Sequence, residues 1–103
     1  MPQHILTDVS ATVDPSREAE LVAGFRELTT GPTPDGLLRT ELLQGPGNHW
    51  RVQTLWLDQA SLDAMRGGSE PPAAPRLFRA VGAEPVLEVL VVAADHLGPA
   101  TDR

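Results

Sequence analysis

Two tryptophans, Trp50 and Trp56, lie on one short stretch, Trp50-Arg-Val-Gln-Thr-Leu-Trp-Leu-Asp58. Their spacing is even, so on a strand both rings point to the same face. A flat aromatic wall of this kind is either core or the floor of a pocket for a planar molecule. Other chemistry is sparse. His4, His49 and His96 are scattered without ligand spacing, so no metal site is expected. There is no cysteine, which removes disulfides and thiolate chemistry. No Ser-His-Asp set, glycine-rich phosphate loop or pair of carboxylates at a plausible site is visible.

The totals bound the partners. A chain of 103 residues is one small domain. Its net charge of −6 argues against nucleic acid and against an anionic membrane surface. All eight basic residues are arginine. The longest apolar run, Val89 to Ala94, is far too short to span a bilayer. The opening MPQHILTDVS has no basic segment before an apolar run, so no signal peptide and a cytoplasmic location are expected.

The elements that must position the tryptophans follow from periodicity and punctuation. His4 to Val13 reads as a strand, with Ile5, Val9, Ala11 and Val13 on one parity and Asp8, Ser10 and Thr12 on the other. Asp14-Pro15 opens a helix reaching Leu28, with Leu21, Val22, Phe25 and Leu28 as its apolar stripe. After a loop, strands over 37–44 and 50–57 form a hairpin about Gly45-Pro-Gly-Asn48. Pairing Gln44 with His49 would set Leu43 against Trp50, Glu41 against Val52, Arg39 against Thr54 and Leu37 against Trp56. A helix over 59–66 is capped by Asp58, stopped by Gly67-Gly68, and buries Leu62 and Met65. A stiff proline loop leads to a short helix over 75–81, with Leu77, Phe78 and Val81 as its apolar side and Gly82 at its C-cap. A last strand covers 85–94. Residues 1–97 are expected to form the domain and 98–103 a disordered tail.

The order β-α-β-β-α-β matches the ferredoxin-like arrangement, an α+β fold with helices on one face of a four-stranded antiparallel sheet. The last strand, Val86-Leu-Glu-Val-Leu-Val-Val92, is apolar at both parities, and the third carries Leu55 and Leu57 opposite its tryptophans. A sheet apolar on both faces, with helices for one, predicts a partner. A second copy is the simplest, giving a homodimer with sheets face to face.

The chain resembles the antibiotic biosynthesis monooxygenase family over about residues 4 to 96. The likeness rests on Asp14-Pro-Ser-Arg-Glu-Ala-Glu-Leu21, on Gly36-Leu-Leu-Arg-Thr-Glu-Leu42, and on Thr54-Leu-Trp-Leu-Asp58 followed by Ala60 and Leu62. The resemblance implies a dimeric α/β barrel. It also implies a site at the strand-end Trp56. The family's haem-degrading branch adds an Asn on the first strand and a His after the third. Here Val9 stands at the first place and no His lies between Trp50 and Asp95, so haem degradation is set aside. The polyketide-oxygenase branch pairs the Trp with an Asn, a Tyr and an Arg. Trp56 and Arg76 fit two of these positions, while Val52 and Leu62 occupy the others and the chain has no Tyr.

That resemblance implies a monooxygenase that needs no cofactor, acting with O₂ on a small hydrophobic aromatic substrate such as a phenol, anthrone or quinol. Such chemistry asks for a dry slot, a stacking surface and a cation beside a developing oxyanion. Trp56 and Trp50 are candidates for the surface. Leu62, Met65 and Phe78 are candidates for the roof, and Val52 and Thr54 line the strand between the tryptophans. Arg76 is the candidate oxyanion partner, because a guanidinium keeps its charge when partly buried. Arg39, on the tryptophan parity in the expected register, is a second. The general base stays open between Asp8, His49 and the substrate's own acidity. A non-catalytic dimer that binds a small ligand is the other reading of the same residues.

Overall fold

A computed structural model describes residues 3–99. Four strands, β1 (Ile5–Thr12), β2 (Leu37–Gln44), β3 (His49–Trp56) and β4 (Val86–Val91), form one antiparallel sheet in the order β2-β3-β1-β4. Three helices, α1 (Glu18–Leu28), α2 (Gln59–Arg66) and α3 (Ala73–Ala80), cover one face. The fold is α+β and ferredoxin-like, as the element order predicts. The sheet is open, with β2 and β4 as its edges. Most of the expected tail, residues 100–103, lies outside the described residues.

Local chemistry explains most boundaries. Asp14 Oδ1 accepts from Ser16 N at 2.9 Å and caps a single 3₁₀ turn, Pro15–Arg17, that leads into α1. Asp58 Oδ1 accepts from Ser61 N at 2.8 Å and from Ser61 Oγ at 2.7 Å, starting α2. Gly36, at φ 83°, takes a backbone conformation that a side chain would strain. A Cβ there would also collide with Ser61. Its carbonyl accepts from Leu57 N at 2.8 Å, which ties the entry of β2 to the start of α2.

The structure corrects two expectations. The third helix starts at Ala73, two residues earlier than expected, because a proline within the first turn removes an N–H that has no helical partner anyway. The hairpin register is also shifted by one. Gln44 pairs with Trp50, Leu42 with Val52, Thr40 with Thr54 and Arg39 with Leu55. The turn sets this, since Gly45 N donates to His49 O at 2.7 Å and both Gly47 and Asn48 have positive φ. An irregularity between Leu37 and Arg39 then returns Leu37 to Trp56. Arg39 therefore leaves the tryptophan face. It lies exposed on the other side, bonded to Glu41 at 2.7 Å.

On the helix-covered face the side chains fall into cross-strand rows. Leu42, Val52 and Val9 form one row, and Leu37, Trp56 and Ile5 another. The first belongs to a core cluster with Leu21, Trp50 and Phe78 beneath α1 and α3. The second belongs to a separate cluster with Leu62 of α2. Burying Phe78, Leu21 and Leu62 contributes about 1.5–3 kcal/mol each. The helices do not reach β4. Its residues are exposed on both faces, Leu87 at 47% on the helix side and Leu90 at 44% on the outer side.

Candidate functional site

Between the two core clusters lies a cavity of about 580 Å³. Its floor is the helix-facing side of the sheet: Thr7 and Val9 from β1, Leu37 and Thr40 from β2, Val52, Thr54 and Trp56 from β3, and Leu87 from β4. Leu62 and Met65 of α2 form one wall. The loop after α1, the loop before α3 and the first turn of α3 supply the rest, including Pro32, Pro34, Pro71, Pro72 and Pro75. Half of the chain's ten prolines thus border the cavity. They make its walls stiff and poor in N–H donors.

Of the expected site residues, the cavity brings together Trp56, Arg76, Val52, Thr54, Leu62 and Met65. Trp56 is only 3% exposed, and its Nε1–H donates to Thr7 Oγ1 at 3.2 Å. Its N–H is therefore occupied by the protein, so the ring offers a surface and no donor. Arg76 is exposed at the mouth and has no carboxylate partner among the described residues. Arg66 and Glu70 also stand at the mouth.

Trp50 and Phe78 do not line the cavity. Both sit in the cluster beneath α1 and α3, and Trp50 Nε1 donates to Glu18 Oε2 at 2.8 Å. The two tryptophans share a face, as their spacing predicts, but one is core and the other borders a cavity. Neither residue considered as a base from the sequence reaches it. Asp8 and His49 lie on the opposite parity of the sheet, and Asp8 accepts from Arg51 Nη1 at 3.0 Å on the outer face.

Sequence reasoning missed Thr7 and Thr40. Both residues lie on the floor, flanking Thr54 on the neighbouring strands. The signal was a threonine within the apolar parity of β1, between Ile5 and Val9. Thr40 was hidden by the register.

The α2 cap also shifts a titration. Hydrogen bonds from the hydroxyl and then the backbone N–H of Ser61 hold the Asp58 carboxyl below its ordinary value, with nearby His4 adding to this. The cap fixes the helix that carries Leu62 and Met65 over the floor. No group of three or more metal-ligating side chains occurs among the described residues. No described helix is long and apolar enough to cross a membrane.

No family profile and no curated protein sequence matches the chain. Solved structures do. A heme-degrading protein from Mycobacterium tuberculosis aligns at a TM-score of 0.72 and 19% identity, over 95% of this chain and all of that one. A candidate antibiotic biosynthesis monooxygenase from Caulobacter crescentus aligns at 0.68 and 21%, over 86% of this chain and 89% of that one. SnoaB from Streptomyces nogalater, a cofactor-independent oxygenase, aligns at 0.67 and 16%, over 95% and 99%. The chain has the antibiotic biosynthesis monooxygenase fold. At these identities the likeness is one of fold, and the chemistry has to be argued from the cavity.

Proposed function

We propose that this chain is a cofactor-independent monooxygenase that oxidises a flat aromatic phenol, anthrone or quinol with O₂. The observation that carries the reading is one cavity bordered by both Trp56 and Arg76. The substrate stacks its rings against the Trp56 side of an apolar slot. Its acidic C–H or O–H loses a proton, and Arg76 stabilises the resulting anion. The proton passes to solvent through the substrate's own acidity, or to Glu70, the one carboxylate among the lining residues. The anion gives one electron to O₂, and the radical pair combines to a peroxide. For an anthrone, loss of water from the hydroperoxide leaves a carbonyl where a CH₂ stood, so that one oxygen atom enters the product and the other leaves as water.

Two copies are expected to assemble through the outer sheet face. Leu6, Leu55 and Leu90 lie on that face with the Asp8–Arg51 pair among them. Asp8 is 5% exposed, and its second oxygen is buried without a hydrogen bond. An open face with buried charge, half-buried Leu6 and Leu55 and exposed Leu90 suits a self-complementary contact, which would complete a barrel of two sheets.

The floor of the cavity carries no titratable group. This favours a second reading, binding of a small hydrophobic ligand without turnover. Oxygen-electrode measurement with anthrone decides between them. Oxygen uptake that needs no added metal or flavin supports the oxygenase. Thermal stabilisation by anthrone with no uptake selects the binding protein.

A further inference from the structure

Across the floor of the cavity runs a row of three threonines, one from each of three adjacent strands. Thr54 of β3 pairs with Thr7 of β1 on one side and with Thr40 of β2 on the other. The rows on either side are apolar: Val9, Val52 and Leu42 above, Ile5, Trp56 and Leu37 below. Valine would suit three such positions better if they were only core, because a buried hydroxyl loses hydration unless it is bonded.

Counting hydrogens separates what the protein satisfies from what it does not. Thr7 Oγ1 accepts from Trp56 Nε1 at 3.2 Å and makes a long contact to Thr54 O at 3.5 Å. Thr40 Oγ1 and Thr54 Oγ1 bond to each other at 3.0 Å, so one donates and one accepts. A threonine hydroxyl has one hydrogen. The hydroxyl that accepts in this pair keeps its own, and no acceptor for it occurs among the described residues. Both threonines line the cavity.

We infer that the Thr40–Thr54 pair is a specificity subsite that seats a neutral oxygen of the ligand, a carbonyl or a phenolic hydroxyl, on the cavity floor. The inference rests on reading this cavity as the ligand site. No charged side chain lines the floor, so the subsite selects an uncharged acceptor. The cations, Arg66 and Arg76, stand at the mouth. A ligand with two oxygens is held at both ends, one on the floor and one toward the mouth. A hydrocarbon of the same shape fills the slot but leaves the spare hydroxyl hydrogen unpaired.

The test compares anthrone with 9,10-dihydroanthracene, which replaces the carbonyl by CH₂ on the same three rings. Binding is followed anaerobically by quenching of tryptophan fluorescence. Wild-type protein is expected to bind anthrone about tenfold more tightly, the worth of one hydrogen bond plus an unpaired group avoided. Either single valine variant leaves the other hydroxyl with its hydrogen free, so the double variant Thr40→Val/Thr54→Val is the one that should bring that ratio close to one, while leaving dihydroanthracene affinity within about twofold. Thr54→Ser should keep the preference, and Thr40→Ala/Thr54→Ala repeats the test should the double valine variant fail to fold. The proposal is overturned by a ratio of one in the wild type, by a ratio unchanged in the folded variant that lacks both hydroxyls, or by binding of neither compound. Oxygen uptake with anthrone whose ligand preference ignores the loss of both hydroxyls would reject the subsite and keep the oxygenase. A threonine-dependent preference without oxygen uptake would do the reverse.

Discussion

Trp56 hands its indole N–H to Thr7, one strand away, at 3.2 Å. The bond fixes the ring at the edge of the cavity and spends the only hydrogen-bonding group that the ring has. A double-mutant cycle measures it. Thr7→Val alone leaves a buried N–H unpaired and should cost about 1–3 kcal/mol. Trp56→Phe alone should cost about 1–2 kcal/mol, and the pair should couple by about 0.5–1.5 kcal/mol in urea unfolding. Additive effects would show that the bond contributes nothing.

Arg76 should separate stability from activity. It is exposed and has no carboxylate partner among the described residues, so Arg76→Ala should shift unfolding free energy by no more than about 0.5 kcal/mol. Under the oxygenase reading the same change removes the cation facing the developing anion. Oxygen uptake should then fall by about 10²-fold. Uptake within twofold of wild type would remove Arg76 from the mechanism.

Asp58 should show up as a pH effect. Its folded value is depressed by the Ser61 bonds. The stability it adds is therefore fully present above its ordinary value of 3.8 and is lost as pH falls through the lowered folded value. Asn caps a helix as well but does not titrate. Asp58→Asn should thus shrink the drop in melting temperature between pH 7 and pH 3. Asp58→Ala should also lower the melting temperature at pH 7. Other depressed carboxyls, Asp14 and Glu20, keep part of the acid sensitivity in both variants.

The proposed assembly turns on Leu90, 44% exposed on the outer face of β4. Sedimentation equilibrium of the wild type should give twice the chain mass of 11.0 kDa. Leu90→Arg should give the monomer, because a charge facing its own symmetry copy is not desolvated cheaply. A wild-type monomer at micromolar concentration would reject the dimer.

Much of this was legible in the chain, for local reasons. The bounds of β2 and α2 follow from turn and cap residues lying next to them in sequence. The parity of Trp50 and Trp56 follows from strand geometry. What was not legible depends on depth and register. Parity says that both tryptophans face the helices, but only the packing of α1 and α3 buries Trp50 and leaves Trp56 beside a cavity. A one-residue register shift set at the turn moved Arg39 to the outer face and brought Thr40 to the floor, and the irregularity between Leu37 and Arg39 only returned Leu37 to Trp56. Neighbouring residues in sequence do not announce such a shift, because it is decided by a turn and a partner strand together.

The break in the core has a consequence for motion. α2 is held to the sheet through a small cluster of its own, Leu62 and Met65 against Ile5, Trp56 and Leu37, separate from the cluster under α1 and α3. A helix with so few buried contacts is a unit that can detach while the rest stays folded. Amides of α2 should exchange with solvent faster than those of α1, and at a rate that a bound ligand slows. The chain then needs no dedicated lid. Partial melting of eight residues would admit a rigid planar molecule to a site whose proline walls do not bend.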